Sequence, residues 1–350
     1  MRRTTIAISP NDHRAVLVAA LHHREHLSQK EIAERLDMNP MQISRLLAHA
    51  HKRGYVSDPT LILPKDDELA TELLGRVKNL RDVRVVQTHR QMAETTRIEL
   101  VATAAAEFWE EFNCTKKRIK IGLSAGRAIA MLVDVVQLPS DYGFDCYSLA
   151  NIPSGDASVA ADTNLALLKR RFSGVIHKSR KPQVTLNLLG ALQLSPEMTD
   201  AEVAAERKRI MGLERVKRIM REFEESDLVF TGVGSIKDPT LLKLISGLGI
   251  EQIPPNVTGT VAYTYVHHSN EPFSKTDTLR SRLVSVSMKA LKAIAVRRDT
   301  RVAAVAWGAS KAKPLLDAYR GGVFNTFIID SELAGELIRL IDQNYLNPNS

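Results

Sequence analysis

Apolar residues Ile32, Ala33 and Leu36 recur at the spacing of one helix face, and Ser28 stands before them with Glu31 three positions on. This S-x-x-E arrangement lets each side chain satisfy the backbone N–H at the other's position, so it predicts a helix starting near Gln29. Asp37-Met38-Asn39 interrupts the periodicity. Asn39 then serves as an N-cap, and Pro40 takes the first helical position, where a missing N–H costs nothing. A second helix therefore starts at Pro40, carries Ile43, Leu46, Leu47 and Ala50 on one face, and ends before Gly54. Upstream, Ala15, Val16, Val18, Ala19 and Leu21 predict a helix within residues 13–25 that packs behind the pair. Downstream, Tyr55-Val56 and Leu61-Ile62-Leu63 flank the turn signal Asp58-Pro59 and predict a short hairpin wing.

Two short helices joined by a sharp turn make a helix-turn-helix, and the polar face of the second gives that shape a use. Its periodicity turns Met41, Arg45 and Lys52 away from the apolar stripe, with Gln42, Ser44 and His49 on the flanks. In such a motif the early residues of the second helix reach base edges, where Gln suits adenine and Arg suits guanine. Gln42 and Arg45 are the expected base readers, and Lys52 and Arg53 the expected phosphate contacts. Ser28, Gln29 and Asn39, at the two helix starts, complete the expected DNA-binding set. Taken by itself, the same pattern also fits a surface helical hairpin whose charges are only solvated.

After residue 63 the pattern changes. Pro64-Lys65-Asp66-Asp67-Glu68 is polar, and Leu69, Leu73, Leu74 and Val77 follow at helical spacing, which predicts a linker helix over 64–80. From there short β-branched runs alternate with helical segments: Val83–Gln87, Ile119–Ser124, Val184–Leu189, Leu228–Val233, Val302–Ala306 and Phe327–Ile329. Such alternation predicts an α/β domain with a mostly parallel, Rossmann-like sheet over 81–350. The expected organisation is a helix-turn-helix domain over 1–63, the linker helix, and that larger domain.

Parallel sheets bind small ligands beyond the carboxyl ends of their strands, so the strand-to-loop junctions are the candidate sites. Gly122-Leu123-Ser124-Ala125-Gly126-Arg127 empties a strand into a small-residue loop that opens a helix, where backbone N–H groups can meet an anion. Its spacing matches neither a Walker loop nor the dinucleotide fingerprint. Thr231-Gly232-Val233-Gly234-Ser235 repeats that logic. Trp307-Gly308-Ala309-Ser310 brings Lys311, a candidate for a phosphate or carboxylate, and Asp330 ends the last strand, ready to accept from hydroxyls or to cap the next helix. Each junction alone is equally a plain turn.

Composition narrows the classes. The 350 residues leave room for two domains, and 44% hydrophobic with 25% charged residues is ordinary for a globular protein. Forty-eight Lys and Arg against 40 Asp and Glu give a net charge of +8, which favours a polyanionic partner. His13, His22, His23, His26, His49 and His51 crowd the N-terminal region without a carboxylate or cysteine at ligand spacing, so no metal is expected. Two cysteines, Cys114 and Cys146, suit a reducing compartment. With no secretory signal or transmembrane run, a cytoplasmic location is expected. Residues 200–225 form a helical charge run read as a solvated face.

The segment QKEIAERLDMNPMQISRLLAHAHKRGYV, residues 29–56, resembles the DNA-binding part of the SorC-type sugar-binding transcriptional regulators. Its Ser44-Arg45-Leu46-Leu47 run leads on to a basic residue, Gly54 and a hydrophobic pair. The later junctions follow in the order of that family's effector domain: Ser124-x-Gly126-Arg127, an Asp227-initiated strand ending Gly232-x-Gly234-Ser235, small residues with Lys311, then Arg320-Gly321-Gly322 and Asp330. The resemblance implies a fold related to sugar-phosphate isomerases and acyl-CoA transferases. It also implies a double-stranded operator, a sugar, polyol or sugar-phosphate effector, a homodimer or homotetramer, no cofactor and no enzymatic activity. Gly122, Ser124, Ala125, Gly126, Arg127, Gly232, Gly234, Ser235, Trp307, Gly308, Lys311 and Asp330 are then the expected effector-binding residues. Three positions depart from the family pattern: Thr260 replaces the Asp of a Gly-Asp pair, Trp307 stands where Gly is common, and Ala128 where Thr is typical. The alternatives are a constitutive DNA-binding oligomer and an isomerase-like enzyme with an appended DNA-binding module. For the enzyme, Asp330, Lys311 and Glu332 make no constellation that demands catalysis.

Overall fold

The computed structural model describes residues 10–23, 27–52, 63–89, 91–112, 116–138, 142–151, 160–173, 183–189, 192, 198–269, 271–274 and 277–343. The chain divides into two units, Met1–Ile62 and Leu63–Ser350. The expected wing up to Ile62, Arg53 and Cys114 lie outside the described residues, as does most of His-rich residues 23–26.

In the first unit, helices α1 (Pro10–His23), α2 (Gln29–Arg35) and α3 (Pro40–Lys52) close a core of Ala15, Val18, Ala19, Leu21, Ile32, Ala33, Ile43, Leu46, Leu47 and Ala50. Ser28 and Glu31 form the reciprocal capping box on α2. Asp37 adopts a left-handed conformation (φ 49°), which makes the turn between α2 and α3 tight. A short polar side chain tolerates that backbone better than a bulky one.

In the second unit the strand sequences already show what covers them. Strand β10 (Arg301–Ala306) buries Val302, Ala304 and Ala306 toward one side and Ala303 and Val305 toward the other. A strand apolar on both faces needs helices on both faces. The sheet is nine-stranded among the described residues, with main order β1-β11-β10-β6-β2-β3-β5. These strands, all parallel, are β1 (Asp82–Val86), β2 (Arg118–Leu123), β3 (Gly143–Ser148), β5 (Gln183–Asn187), β6 (Leu228–Ser235), β10 and β11 (Thr326–Asp330). Helices α5 (Glu94–Glu111), α6 (Arg127–Val135) and α7 (Ala161–Ser173) cover one face. The other is covered by α4 (Asp67–Arg76), α8 (Asp200–Gly212), α9 (Glu214–Phe223), α12 (Met288–Val296), α13 (Ala312–Arg320) and α14 (Ser331–Asp342). From β2 the chain winds outward through β3 and β5. It then returns beside β2 as β6 and winds the other way, so the direction reverses between β2 and β6.

Several particulars differ from the sequence reading. Helix α4 lies in the expected linker stretch, yet Ala70 and Leu73 are buried in the core of the second unit and Lys65 pairs with Val86 on the sheet edge. The 200–225 run is two helices, broken at an extended Leu213 just after Gly212. Its charges form short-range pairs such as Arg209–Glu206 and Lys217–Glu214. Strand β3 was missed because Asp145, facing Arg118, breaks its apolar look. The antiparallel hairpin β7 (Val257–Val261) and β8 (Thr264–His267), which packs with α10 (Pro239–Gly247) and α11 (Thr278–Ser281), was missed too, and so were the two-residue strands β4 (Ala150–Asn151) and β9 (Val284–Ser285). Among the described residues no helix is long and apolar enough to cross a membrane, and no cluster of His, Cys, Asp or Glu is arranged to hold a metal.

Candidate functional site

Helix α3 is set by its first turn. Asn39 Oδ1 accepts the Met41 N–H at 2.8 Å, and Gln42 Oε1 accepts the Asn39 N–H at 3.1 Å, a reciprocal cap built from two amides. Four buried side chains, Ile43, Leu46, Leu47 and Ala50, lock the inner face. The outer face carries exposed Met41, Gln42, Ser44, Arg45, Ala48 and Lys52, with His49 half-buried. Arg45 folds back one turn, its Nη2 3.7 Å from the Met41 sulfur. Residues i and i+4 are neighbours on a helix surface, and long side chains lean toward the N-terminus, so the two form one outward unit. Ser28 and Gln29 are exposed at the start of α2. Ser28 is spent on the capping box, and Gln42 gives its oxygen to the α3 cap, leaving its amide group to donate.

In the second unit, four neighbouring strands, β2, β6, β10 and β11, deliver the expected junctions to one edge of the sheet. Across the reversal between β2 and β6, the Gly232 N–H donates to Ser124 Oγ at 3.1 Å, while Ser124 Oγ–H donates to the Ala125 carbonyl at 2.9 Å. Gly126, at φ 119°, is the N-cap of α6 and supplies no side chain to it. The first amides of α6 therefore face this edge without an intrahelical partner.

The centre of the edge is Trp307. Lys311 Nζ lies 3.2 Å from its ring centroid and Arg127 Cζ 5.3 Å from it. Glu94 Oε1, in the first turn of α5, accepts from Arg127 Nη2 at 2.9 Å and from Trp307 Nε1 at 3.3 Å. The Arg127 hydrogen bond holds the Glu94 carboxyl below its usual range. Lys311 sits in a 3-10 turn, Ala309–Lys311, and is only 8% exposed. Burial pulls its ammonium down to about 8, with Asp238, Glu94 and Asp330 opposing that pull from a distance and Arg127 adding to it. Beside it, buried Asp330 Oδ1 accepts from the Gly308 N–H at 2.9 Å and the Leu333 N–H at 3.0 Å, and Oδ2 from Thr88 Oγ1 at 3.3 Å. Asp330 thus both caps α14 and ties two strand ends together. Burial raises its carboxyl above the usual range, against the lowering effect of those amides.

The edge holds Ser124, Ala125, Gly126, Arg127, Gly232, Trp307, Gly308, Lys311 and Asp330, but three expected residues belong elsewhere. Gly122 lies in strand β2, where a Cβ would meet Phe223 at 2.7 Å and Leu149 at 2.9 Å, so its smallness serves packing under α9. Gly234 and Ser235 are not a loop, because β6 continues through them to pair with β7. A Cβ on Gly234 would lie 2.6 Å from Thr260 Oγ1, and one on Gly259 would lie 2.0 Å from the Gly234 carbonyl oxygen; the glycines let two strands approach, not a ligand. Trp307 is 9% exposed with two cations against its ring, which removes the stacking face a sugar would need. Residues the sequence reading passed over are Glu94, Thr88 and Asp238. Thr88 follows β1 and Glu94 opens α5, one more strand-to-helix junction of the same sheet edge, and that rule would have found them.

The sequence model of the family described as "Putative sugar-binding domain" matches residues 68–339. A search of curated proteins finds no match. Among solved structures, the chain is similar to the full-length sorbitol operon regulator SorC from Klebsiella pneumoniae, at 20% identity over 94% of this chain and 99% of that one, with a TM-score of 0.63. It is similar to a DeoR family transcriptional regulator from Listeria monocytogenes, at 18% identity over 77% and 98% and a TM-score of 0.58. A transcriptional regulator from Streptococcus pneumoniae TIGR4 gives 16% identity, 79% and 98% coverage and a TM-score of 0.57.

Proposed function

Because the chain belongs to the family described as "Putative sugar-binding domain", we propose that it is a SorC-type regulator: a cytoplasmic, non-enzymatic transcriptional regulator. Its operator affinity is set by a sugar, polyol or sugar-phosphate effector. The observation that carries this reading is the Ser124–Gly232 contact across the point where the sheet reverses direction, with Lys311 in the turn after β10 and Asp330 at the end of β11 beside it. Ligands of open parallel sheets bind at such a crevice. The groups around it mix donors (Lys311, Arg127, the α6 amides) with acceptors (Glu94, Asp238, Asp330), which suits a polyhydroxylated molecule.

The α3 face reads the operator, and a homodimer or homotetramer supplies two such helices to a two-fold site. Asp330 favours a binding site over an active site, since its Oδ1 is committed to two backbone amides and is poorly placed as a general base. A thermal-shift panel of sugars, polyols, sugar acids and their phosphates on the full chain tests the proposal. A ligand that binds the folded state raises its apparent stability by mass action. The expected result is a hit in this panel that also changes DNA affinity. Turnover of the hit would restore the enzyme reading, and no hit would favour a constitutive DNA-binding oligomer.

A further inference from the structure

Met41 is 63% exposed, an apolar side chain on the outer face of a helix whose other outward residues are mostly polar or charged. Among the described residues Met38, Leu27 and Leu36 pack against the buried cluster of this unit, and Met41 does not. It occupies the second position of α3, in the turn that a helix-turn-helix inserts deepest into the major groove. Arg45 lays its guanidinium against the Met41 sulfur at 3.7 Å, so the apolar group and the guanine-type donor are presented side by side. Gln42, the neighbouring candidate reader, holds the Asn39 N–H with its oxygen, so the two-point contact with adenine would have to share or give up that cap. Ala48, exposed one turn further along, adds no bulk that would hold the helix away from the groove.

We propose that Met41 is a specificity-determining residue that packs on the C5-methyl group of a thymine adjacent to the guanine read by Arg45, with Gln42 acting as a cap and not as an adenine reader. The inference rests on the DNA-binding reading of α3. A thymine methyl is the one apolar feature that distinguishes base pairs in the major groove, and a flexible thioether can follow it without a fixed hydrogen-bond geometry.

The test uses the full chain. An operator is selected from a random duplex library, and each thymine is then replaced in turn by uracil, which removes only the methyl group. One uracil position per half-site should weaken wild-type binding about fourfold, the worth of one buried methyl-sized group. Met41→Ala should bind the thymine and uracil duplexes equally, whereas Met41→Leu should keep most of the difference. The sensitive thymine should lie next to the guanine at which Arg45→Ala loses about 5- to 150-fold discrimination. A uracil penalty that persists in Met41→Ala, or no methyl-sensitive position at all, overturns the assignment of Met41. A library that yields no enriched sequence overturns the DNA-binding reading itself, and the two failures are thereby told apart.

Discussion

The outer face of α3 and the sheet edge around Trp307, the proposed DNA face and the proposed effector site, are built in opposite ways. On α3 Met41, Arg45 and Lys52 stand exposed, supported from beneath by Ile43, Leu46, Leu47 and Ala50. At the sheet edge the groups already hold one another: Glu94 binds Arg127 and Trp307, Lys311 lies buried on the Trp307 ring, and Asp330 is spent on Gly308, Leu333 and Thr88. An exposed face reads a partner by addition. A satisfied network has to rearrange, and a ligand that changes it pays for or gains from contacts that also hold β10, β11 and α5 in place. This difference is what a regulator needs, because coupling requires that the ligand interact differently with two states of the protein.

Substitutions can separate the two designs, and the largest effect belongs to the buried one. Asp330→Ala leaves the Gly308 and Leu333 amides and the Thr88 hydroxyl without their acceptor, and should cost about 3 kcal/mol in denaturant unfolding. Loss of under about 1 kcal/mol would mean that the network is not a structural tie. Arg45→Ala should leave unfolding unchanged and cost about 1 to 3 kcal/mol of operator discrimination, measured by competition against a scrambled duplex.

Lys311→Met should act in the opposite direction to Asp330→Ala. The folded lysine is pulled down to about 8 from the ordinary 10.5, so holding it charged at neutral pH opposes folding. In the wild type that penalty is fully present below pH 8. It is relieved as pH rises from about 8 to 10.5, where the unfolded chain still binds the proton and the folded chain does not. Lys311→Met should therefore stabilise the ligand-free protein at pH 7 by roughly 2 kcal/mol and flatten the rise in stability across that window. A destabilised variant with an unchanged pH profile would place the ammonium in a favourable pairing instead. The smallest effect is on the exposed face: Lys52→Ala should weaken binding to all duplexes alike and reduce the salt slope by about one unit, read from affinity at several salt concentrations.

Exposure also decided what could be read from the sequence. The Ser28–Glu31 capping box, the Asn39 cap, the interruption at Asp37 and the inner and outer faces of α3 follow from local spacing, and Ser28, Glu31, Asn39 and Pro40 were sufficient to place them; the part Gln42 plays in the α3 cap was not legible there. The six expected strands are all present: β6, β10 and β11 are apolar runs buried on both faces, whereas β5 shows its alternation although it is only half-buried. Local spacing could not say which glycines serve a loop and which serve a strand. Gly126 and Gly308 take positive φ in open loops, while Gly122 and Gly234 are small because Phe223 and Thr260 press on them, a fact that belongs to tertiary packing. Nor could it show that Glu94, 213 residues from Trp307 in sequence, reaches the same ring.

Operator affinity with and without a ligand found in the thermal-shift panel, on wild type and on Lys311→Met, tests the coupling of the two faces most directly. A change of about 5- to 150-fold is expected in the wild type, corresponding to about 1 to 3 kcal/mol of coupling. In Lys311→Met the change should be absent, with ligand-free operator affinity kept. A ligand that binds the folded chain yet leaves wild-type operator affinity unaltered would contradict that coupling.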